Sequence, residues 1–192
     1  MTYSDKTSKH PPAKPKPKRI SSGRPRRGSV FNGQERYSVC TTDTDHDENI
    51  VRNYPASAFW LVAKVIMQMA ESDRIEIIQK GVSTALVSAL TGALTISMAR
   101  AANLLNLQIS ELRRLMEDGG ALDAAASERF DRIAQIAGMA EDILESREEA
   151  AKWLTRAHPL LNQETPLHLC HTELGAGQVK RVLSAIEWGN VA

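Results

Sequence analysis

Apolar residues recur at intervals of three and four along most of the chain after Pro55, which is the spacing of helices that bury one face. No segment shows the regular alternation of a half-buried strand. The pattern therefore predicts an all-α fold from about residue 55 onward. The expected helices cover residues 55–70, 73–80, 83–90, a pair within 97–117, 127–144, 147–158, a short helix from 166, and 175–188. In the second of these, we expect Ile75, Ile77 and Ile78 to be buried.

Local start and stop signals divide the C-terminal part of the chain. Ser146 and Glu149 have the spacing of a capping box, and Thr165-Pro166 places an N-cap residue before a proline at the first helical position. Gly189 follows the last apolar stripe and suits a helix C-terminus. We expect three regions: a disordered basic and proline-rich arm with an acidic linker at 1–54, a helical region with a helix-turn-helix at 55–145, and a small helical domain at 146–192.

The net charge of +1 conceals two segments of opposite sign. Residues 1–36 carry ten Lys and Arg against two acidic residues, a charge of +8, and residues 37–192 carry fourteen against twenty-one, a charge of −7. The arm has too little apolar surface to offset the entropy of ordering it. Its Gly23-Arg24-Pro25-Arg26 resembles the core of an AT-hook, which predicts minor-groove contacts by Arg24 and Arg26. The alternatives are a non-specific basic tail and sequence that is not translated.

Composition excludes several classes of protein. Two cysteines cannot form a disulfide scaffold, which favours a reduced, cytoplasmic chain. Because no apolar run reaches about 18 residues and no secretory signal follows the basic N-terminus, we expect no membrane association. His168, Cys170 and His171 lack the second ligand pair of a zinc site. Without a Gly-rich phosphate loop either, we expect no metal, no cofactor and no enzyme activity.

Residues 98–117 have the pattern of a DNA-binding helix-turn-helix. The small residue at the helix crossing is Ala102, and the turn residue is Asn106, which tolerates positive φ. Apolar residues occupy the core positions Ala101, Leu105, Leu107, Leu112 and Leu115. The second helix would present Gln108, Ser110, Arg113 and Arg114 to operator DNA. A helical hairpin within a core remains the alternative, and Glu111 and Glu117 lie near the proposed DNA face.

The C-terminal region carries the most specific motifs of the chain. They are Trp153-Leu154, Pro159-Leu160, Thr165-Pro166-Leu167, Thr172-Glu173-x-Gly175 and Ile186-Glu187-x-Gly189. This series resembles the toxin-binding domain of the Xre/MbcA/ParS antitoxins. Upstream, Arg74, Gly81 and the Ser127-Glu128-Arg129 string resemble the helix-turn-helix region and linking helix of that family. The resemblance covers about residues 72–190, and Asn162-Gln163-Glu164 departs from it at one turn.

The resemblance implies an antitoxin whose partner is a RES-domain toxin that consumes NAD, by hydrolysis or by transfer of ADP-ribose. The antitoxin would block the toxin active site with its C-terminal region and repress its own operon through the helix-turn-helix. We expect a homodimer within a toxin–antitoxin hetero-oligomer, because operators mirror protein symmetry. The enzyme chemistry would belong to the partner.

The residues expected to contact the toxin are Trp153 and the segment from Glu187 and Trp188 through Gly189, Asn190, Val191 and Ala192. A tryptophan after an amphipathic helix is a typical interface anchor, and Gly189 would let the following residues leave the helix axis. Two alternatives stay open. Trp188 could cover the core of its own domain, and the chain could be a stand-alone transcriptional regulator whose C-terminal region serves dimerisation.

Overall fold

The computed structural model describes residues 54–189, and this part of the chain is built from helices. They are α1 (Ala56–Gln68), α2 (Glu71–Lys80), α3 (Ala85–Leu94), α4 (Met98–Leu105), α5 (Ile109–Glu117), α6 (Ala124–Leu144), α7 (Arg147–Thr155), α8 (Pro166–Leu169) and α9 (Glu173–Glu187), with a 3-10 turn at Pro159–Leu161. Between residues 54 and 189 there is no strand, only an isolated bridge between Ser83 and Ala121. The all-α prediction is confirmed. The arm, with Arg24 and Arg26, lies outside the described residues, as do Asn190, Val191 and Ala192.

The long helix α6 lies at the centre of the fold and packs against α1, α2, α4, α7 and α9. Its apolar residues Phe130, Ile133 and Ala137 are almost completely buried. The Phe130 ring meets Phe59 of α1 edge-on, with the ring centroids 6.1 Å apart. Burial of a side chain the size of Phe130 or Ile133 contributes about 1.5–3 kcal/mol to the free energy of folding. The helices before and after α6 in the chain therefore share one core.

Helix α6 begins three residues earlier than predicted. Asp123 is its N-cap, and the Asp123 carboxylate accepts a hydrogen bond from the Ala126 amide at 2.7 Å. Ser127, the predicted start, lies inside the helix and is fully buried. Its hydroxyl accepts the Val82 amide at 2.9 Å. Ser127 therefore satisfies a buried backbone group of the α2–α3 connection instead of capping its own helix.

The expected burial of Ile75, Ile77 and Ile78 is wrong, because no residue of α2 is buried. Ile75 is 53% exposed, and Ile77 and Ile78 are only half-buried. An ion pair holds α2 to α6: the Arg74 guanidinium donates to both carboxylate oxygens of Asp131, the Nε bond measuring 3.0 Å. The hydrogen bond to Asp131 raises the pKa of Arg74. Helix α2 is thus attached at the edge of the fold by charge as well as by apolar contact.

Within residues 54–189, no single helix is long and apolar enough to cross a membrane. Helices α3 and α4 together have the length and composition of such a span, but the chain bends by 116° between them.

Candidate functional site

Helix α9 presents one face to the core and another to solvent. Thr172 caps its start by accepting the Gly175 amide at 3.1 Å. The inner face buries Ala176, Val179 and Leu183. The outer face carries Leu174, Gln178, Arg181, Ala185 and, at the end of the helix, Trp188. These five residues are spaced alternately by four and three positions, so they line one stripe, which we call the α9 outer face.

The α9 outer face exposes two large apolar side chains, with the polar residues Gln178 and Arg181 between them. Leu174 is 86% exposed and Trp188 is 77% exposed. Beside the stripe, the 3-10 turn exposes 57% of Leu160 and forms with Val182 and Ala185 a groove of about 260 Å³. Large apolar side chains that are exposed on the same side of a domain, as Leu160, Leu174 and Trp188 are, indicate a site of protein–protein interaction. Neither Leu160 nor Leu174 was predicted from the sequence as a contact residue. The available signal for Leu174 is its spacing of two heptads before Trp188.

Trp188 does not cover the core of its own domain. It follows the last residue of α9, where the helix ends at Gly189 with φ of 66°. A Cβ added at Gly189 would meet nothing within 4 Å. Glu187 and Gly189 are exposed as well. The structure therefore brings the predicted residues Glu187, Trp188 and Gly189 together on an open surface.

Helices α4 and α5 form the pair predicted from the sequence. The Ser97 hydroxyl caps α4, and Asn106 ends it in the left-handed region with φ of 57°. Ala101, Ala102, Leu105 and Leu112 are buried between the helices and the core, whereas Leu107 and Leu115 are half-buried. The predicted contact residues Gln108, Ser110, Arg113 and Arg114 are all exposed, and so are Glu111 and Glu117.

Comparison with known proteins assigns the region that contains the α9 outer face. Residues 139–189 match the family model of the antitoxin Xre/MbcA/ParS C-terminal toxin-binding domain. We call residues 139–189 the toxin-binding domain, after the family model that they match. The match runs from the second half of α6 to Gly189, so this toxin-binding domain includes α7, α8 and α9 together with the exposed leucines and Trp188.

A curated relative extends the similarity beyond the toxin-binding domain. Over 138 residues the chain is 27% identical to the Prs ADP-ribosylating antitoxin of Sphingobium sp. (strain YBL2). The alignment covers 67% of this chain and 87% of the relative. The two comparisons confirm the family predicted from the sequence and support a toxin-neutralising antitoxin.

Trp153 lies elsewhere in the toxin-binding domain, on α7, and is not part of the α9 outer face. It is half-buried against the core, with its ring centroid 5.6 Å from that of His158. Its indole Nε1 is buried without a hydrogen-bond partner among the described residues. This environment fits a residue that packs the domain, and contact with the toxin stays a prediction for Trp153.

Arg132 fixes the toxin-binding domain to the first half of α6. Only 9% of its side chain is exposed. The guanidinium donates to the Glu173 carboxylate at 2.9 Å, to the backbone carbonyls of Cys170 and His171 at 3.4 Å each, and to Glu128 one turn away. Arg132 thus holds the connection between α8 and α9, which sets where α9 begins. The role of Arg132 was not predicted from the sequence, although an arginine within the apolar stretch of α6 is the available signal.

The histidine and cysteine cluster of the toxin-binding domain does not converge on one point. The His168 and His171 rings lie 4.9 Å apart, whereas Cys170 is buried and its thiol donates to the Pro166 carbonyl at 3.2 Å. Burial raises the pKa of the Cys170 thiol to about 12. Across the part of the chain that the structure describes, no group of three potential ligands could hold a metal ion.

Proposed function

We propose that this chain neutralises a RES-domain toxin by docking the α9 outer face on it and inserting residues 187–192 into its NAD-binding active site. The exposed Trp188, 77% accessible at the end of α9, is the observation that carries the proposal. Under this proposal the chain is not itself an enzyme, and it acts in the cytoplasm with its toxin. Gly189, with a φ of 66°, ends α9 immediately after Trp188.

The α9 outer face supplies both affinity and position. Tryptophan is enriched among the few residues that dominate interface energies, and truncating such a residue costs about 2 kcal/mol or more, or about 30-fold in Kd. Leu174 and Leu160 lie on the same side of the domain and would bury apolar area around it. In this arrangement α9 anchors the complex, while the residues after it block the toxin's active site.

Two variants separate anchoring from blocking. Trp188→Ala should weaken toxin binding by about 30-fold, measured by calorimetry with the purified toxin. Deletion of residues 187–192 should abolish rescue of toxin-expressing cells and leave the helical circular dichroism spectrum unchanged. Leu61→Ala is the matched control, because Leu61 is 59% exposed on α1, outside the matched domain. Rescue by the truncated chain would contradict the blocking role of these residues.

We also propose that α4 and α5 bind operator DNA and so autoregulate the operon. The three-residue turn with Asn106 in the left-handed region and the four exposed polar residues on and before α5 support this. Arg113→Ala/Arg114→Ala should weaken binding in a gel-shift at fixed salt and leave toxin binding unchanged. Lys80→Ala/Lys152→Ala removes the same charge from α2 and α7 and should bind as the wild type does. Equal affinity of both double variants would remove Arg113 and Arg114 from the DNA contact.

The basic arm and a homodimer complete the DNA-binding proposal. The folded part of the chain is acidic, so the arm, through Arg24 and Arg26, would supply affinity for phosphate that α5 lacks. A twofold dimer would match the symmetry of an operator. Light scattering of the purified chain, with and without residues 1–53, tests both parts when it is combined with the gel-shift.

A stand-alone transcriptional regulator is the second candidate, and the same exposed face favours it. The α9 outer face could be buried between two copies of the chain instead of against a toxin. Two measurements distinguish the functions. A wild-type chain that does not bind the toxin, and whose dimer is lost in Trp188→Ala, favours the regulator, whereas loss of toxin binding with an intact dimer in Trp188→Ala favours the antitoxin.

A further inference from the structure

A polar cleft lies between α4 and the toxin-binding domain, away from the α9 outer face. Its volume is about 350 Å³, and it is lined by Arg100, Asn103 and Leu104 of α4 and by Glu164, Thr165, His168 and His171. Arg100 and Asn103 lie three positions apart, so both side chains project from the same face of α4. The cleft therefore lies between the helix pair proposed to bind DNA and the domain proposed to bind the toxin.

The side chains of the cleft form a connected set of donors. The Arg100 guanidinium donates to the Thr165 hydroxyl at 3.2 Å, and that hydroxyl also accepts the His168 amide at 3.2 Å. Nδ1 of His171 donates to the His168 carbonyl, because a carbonyl only accepts. In the neutral ring Nε2 of His171 is therefore an acceptor, and His168 is the histidine that can donate to a ligand. Arginine, asparagine, threonine and histidine are the groups that bind phosphate oxygens. Glu164 is the one acidic residue of the lining.

We propose that this cleft binds a backbone phosphate of the DNA that α5 contacts, so that the toxin-binding domain adds Thr165 and His168 to the DNA interface. The proposal rests on the proposed DNA-binding function. When a helix-turn-helix docks on DNA, its first helix crosses the sugar–phosphate backbone while the second enters the major groove. Helix α4 is that first helix, and the cleft is built on its exposed polar side. Arg100 supplies the fixed charge, and the Thr165 hydroxyl and the His168 ring supply further donors.

The salt dependence of binding to a duplex from the promoter of the chain's own gene tests this site. Each phosphate contact contributes about 0.9 to the slope of log K against log salt. Arg100→Ala should reduce the slope by about that amount, so that between 50 and 200 mM salt it loses about 3.5-fold less affinity than the wild type does. Arg100→Lys keeps the charge and should retain most of the slope. Lys152→Ala, outside the cleft, should leave the slope unchanged.

Two further variants should change the DNA affinity in opposite directions. Glu164→Gln removes the carboxylate from the cleft and should tighten DNA binding, whereas His168→Ala removes a donor and should weaken it. Thermal melting of each variant shows whether it is folded. If Arg100→Ala and Lys152→Ala share the wild-type slope, the cleft proposal is overturned and the DNA function stands. If the wild type does not bind the duplex, the DNA function itself is overturned, and the cleft proposal with it.

Titration with inorganic phosphate alone separates the two sources of the ligand. Shifts of the His168 and His171 ring resonances at millimolar phosphate, together with an unchanged DNA slope for Arg100→Ala, would assign the cleft to free phosphate and overturn the proposal. A reduced slope for Arg100→Ala supports the backbone phosphate.

Discussion

The same Gly→Ala substitution should have opposite effects at two positions in α9. A Cβ at Gly175 would fall 2.2 Å from the Leu169 carbonyl oxygen and 2.9 Å from its carbonyl carbon. At Gly177 the nearest atom is Nη1 of Arg181 at 3.6 Å, which is ordinary contact at the end of a flexible side chain. Since carbon and oxygen approach no closer than about 3.3 Å, Gly175→Ala must separate α9 from the end of α8 by about 1 Å.

The size of each effect follows from two opposing contributions. Alanine within a helix is more favourable than glycine by about 1 kcal/mol, so Gly177→Ala should stabilise the fold by about 0.5–1 kcal/mol. Inserting a methyl group into a packed site costs about 1–3 kcal/mol. At Gly175 the obstacle is the Leu169 backbone, next to the Cys170 and His171 carbonyls that Arg132 holds, so we expect the upper end of that range. After subtraction of the helix gain, Gly175→Ala should destabilise the fold by about 2 kcal/mol.

Urea unfolding followed by circular dichroism measures both variants. With a denaturant slope of about 2 kcal/mol per M, the midpoint of Gly175→Ala should fall by about 1 M and that of Gly177→Ala should rise by about 0.3–0.5 M. A Gly175→Ala variant as stable as the wild type would refute the assigned packing of α8 against α9. A destabilised Gly177→Ala would show instead that the outer side of α9 is covered in the free protein.

Two further predictions concern the interior. Arg132→Met should cost about 2–3 kcal/mol in urea unfolding, because it removes two hydrogen bonds to backbone carbonyls at about 1 kcal/mol each and two pairs with exposed carboxylates at no more than about 0.5 kcal/mol each. Glu128→Gln, which removes one exposed partner, should cost no more than about 0.5 kcal/mol, and equal losses for the two variants would contradict this division. In a Cys40→Ser background, Cys170 should not react with a disulfide reagent at pH 8 until the protein unfolds. With a thiol pKa of about 12, only about one molecule in 10⁴ carries the thiolate at that pH. Prompt reaction of the folded protein would show that the thiol is accessible.

Helix positions were predictable because they depend on local signals. Ser146 accepts the Glu149 amide at 3.3 Å, which is the first half of the predicted capping box, although the Glu149 carboxylate pairs with Lys152 instead of completing it. Thr165 caps α8 as expected. The burial of α2 was not predictable, since apolar spacing tells which residues share a face but not whether another helix covers that face. In this fold α6 reaches α2 through Asp131, and Ile75 stays exposed.

The candidate site shows the same division between local and tertiary information. Trp188 and the exposed residues of α5 follow from position in a motif. The exposure of Leu160 and Leu174 could not be predicted in this way, because a leucine near the start of a helix is usually assigned to the core. Only the packing of α9 on α6 and α8 turns Leu174 outward. Arg132 was not predictable for the same reason, because its four partners come from α6, the α8–α9 connection and the first residue of α9, up to 41 positions away.

A single helix supports both proposed binding surfaces, and this has a thermodynamic consequence. Helices α4 and α9 both pack on α6, and Arg132 fixes the start of α9 to it. Sites that share no contact residues usually contribute independently, so substitutions on α5 and on the α9 outer face should be additive. The Arg100–Thr165 hydrogen bond is a direct link between α4 and the toxin-binding domain. If toxin binding changes DNA affinity within one copy of the chain, Arg100→Ala should therefore reduce that coupling more than Arg113→Ala does, because Arg113 lies on the exposed side of α5.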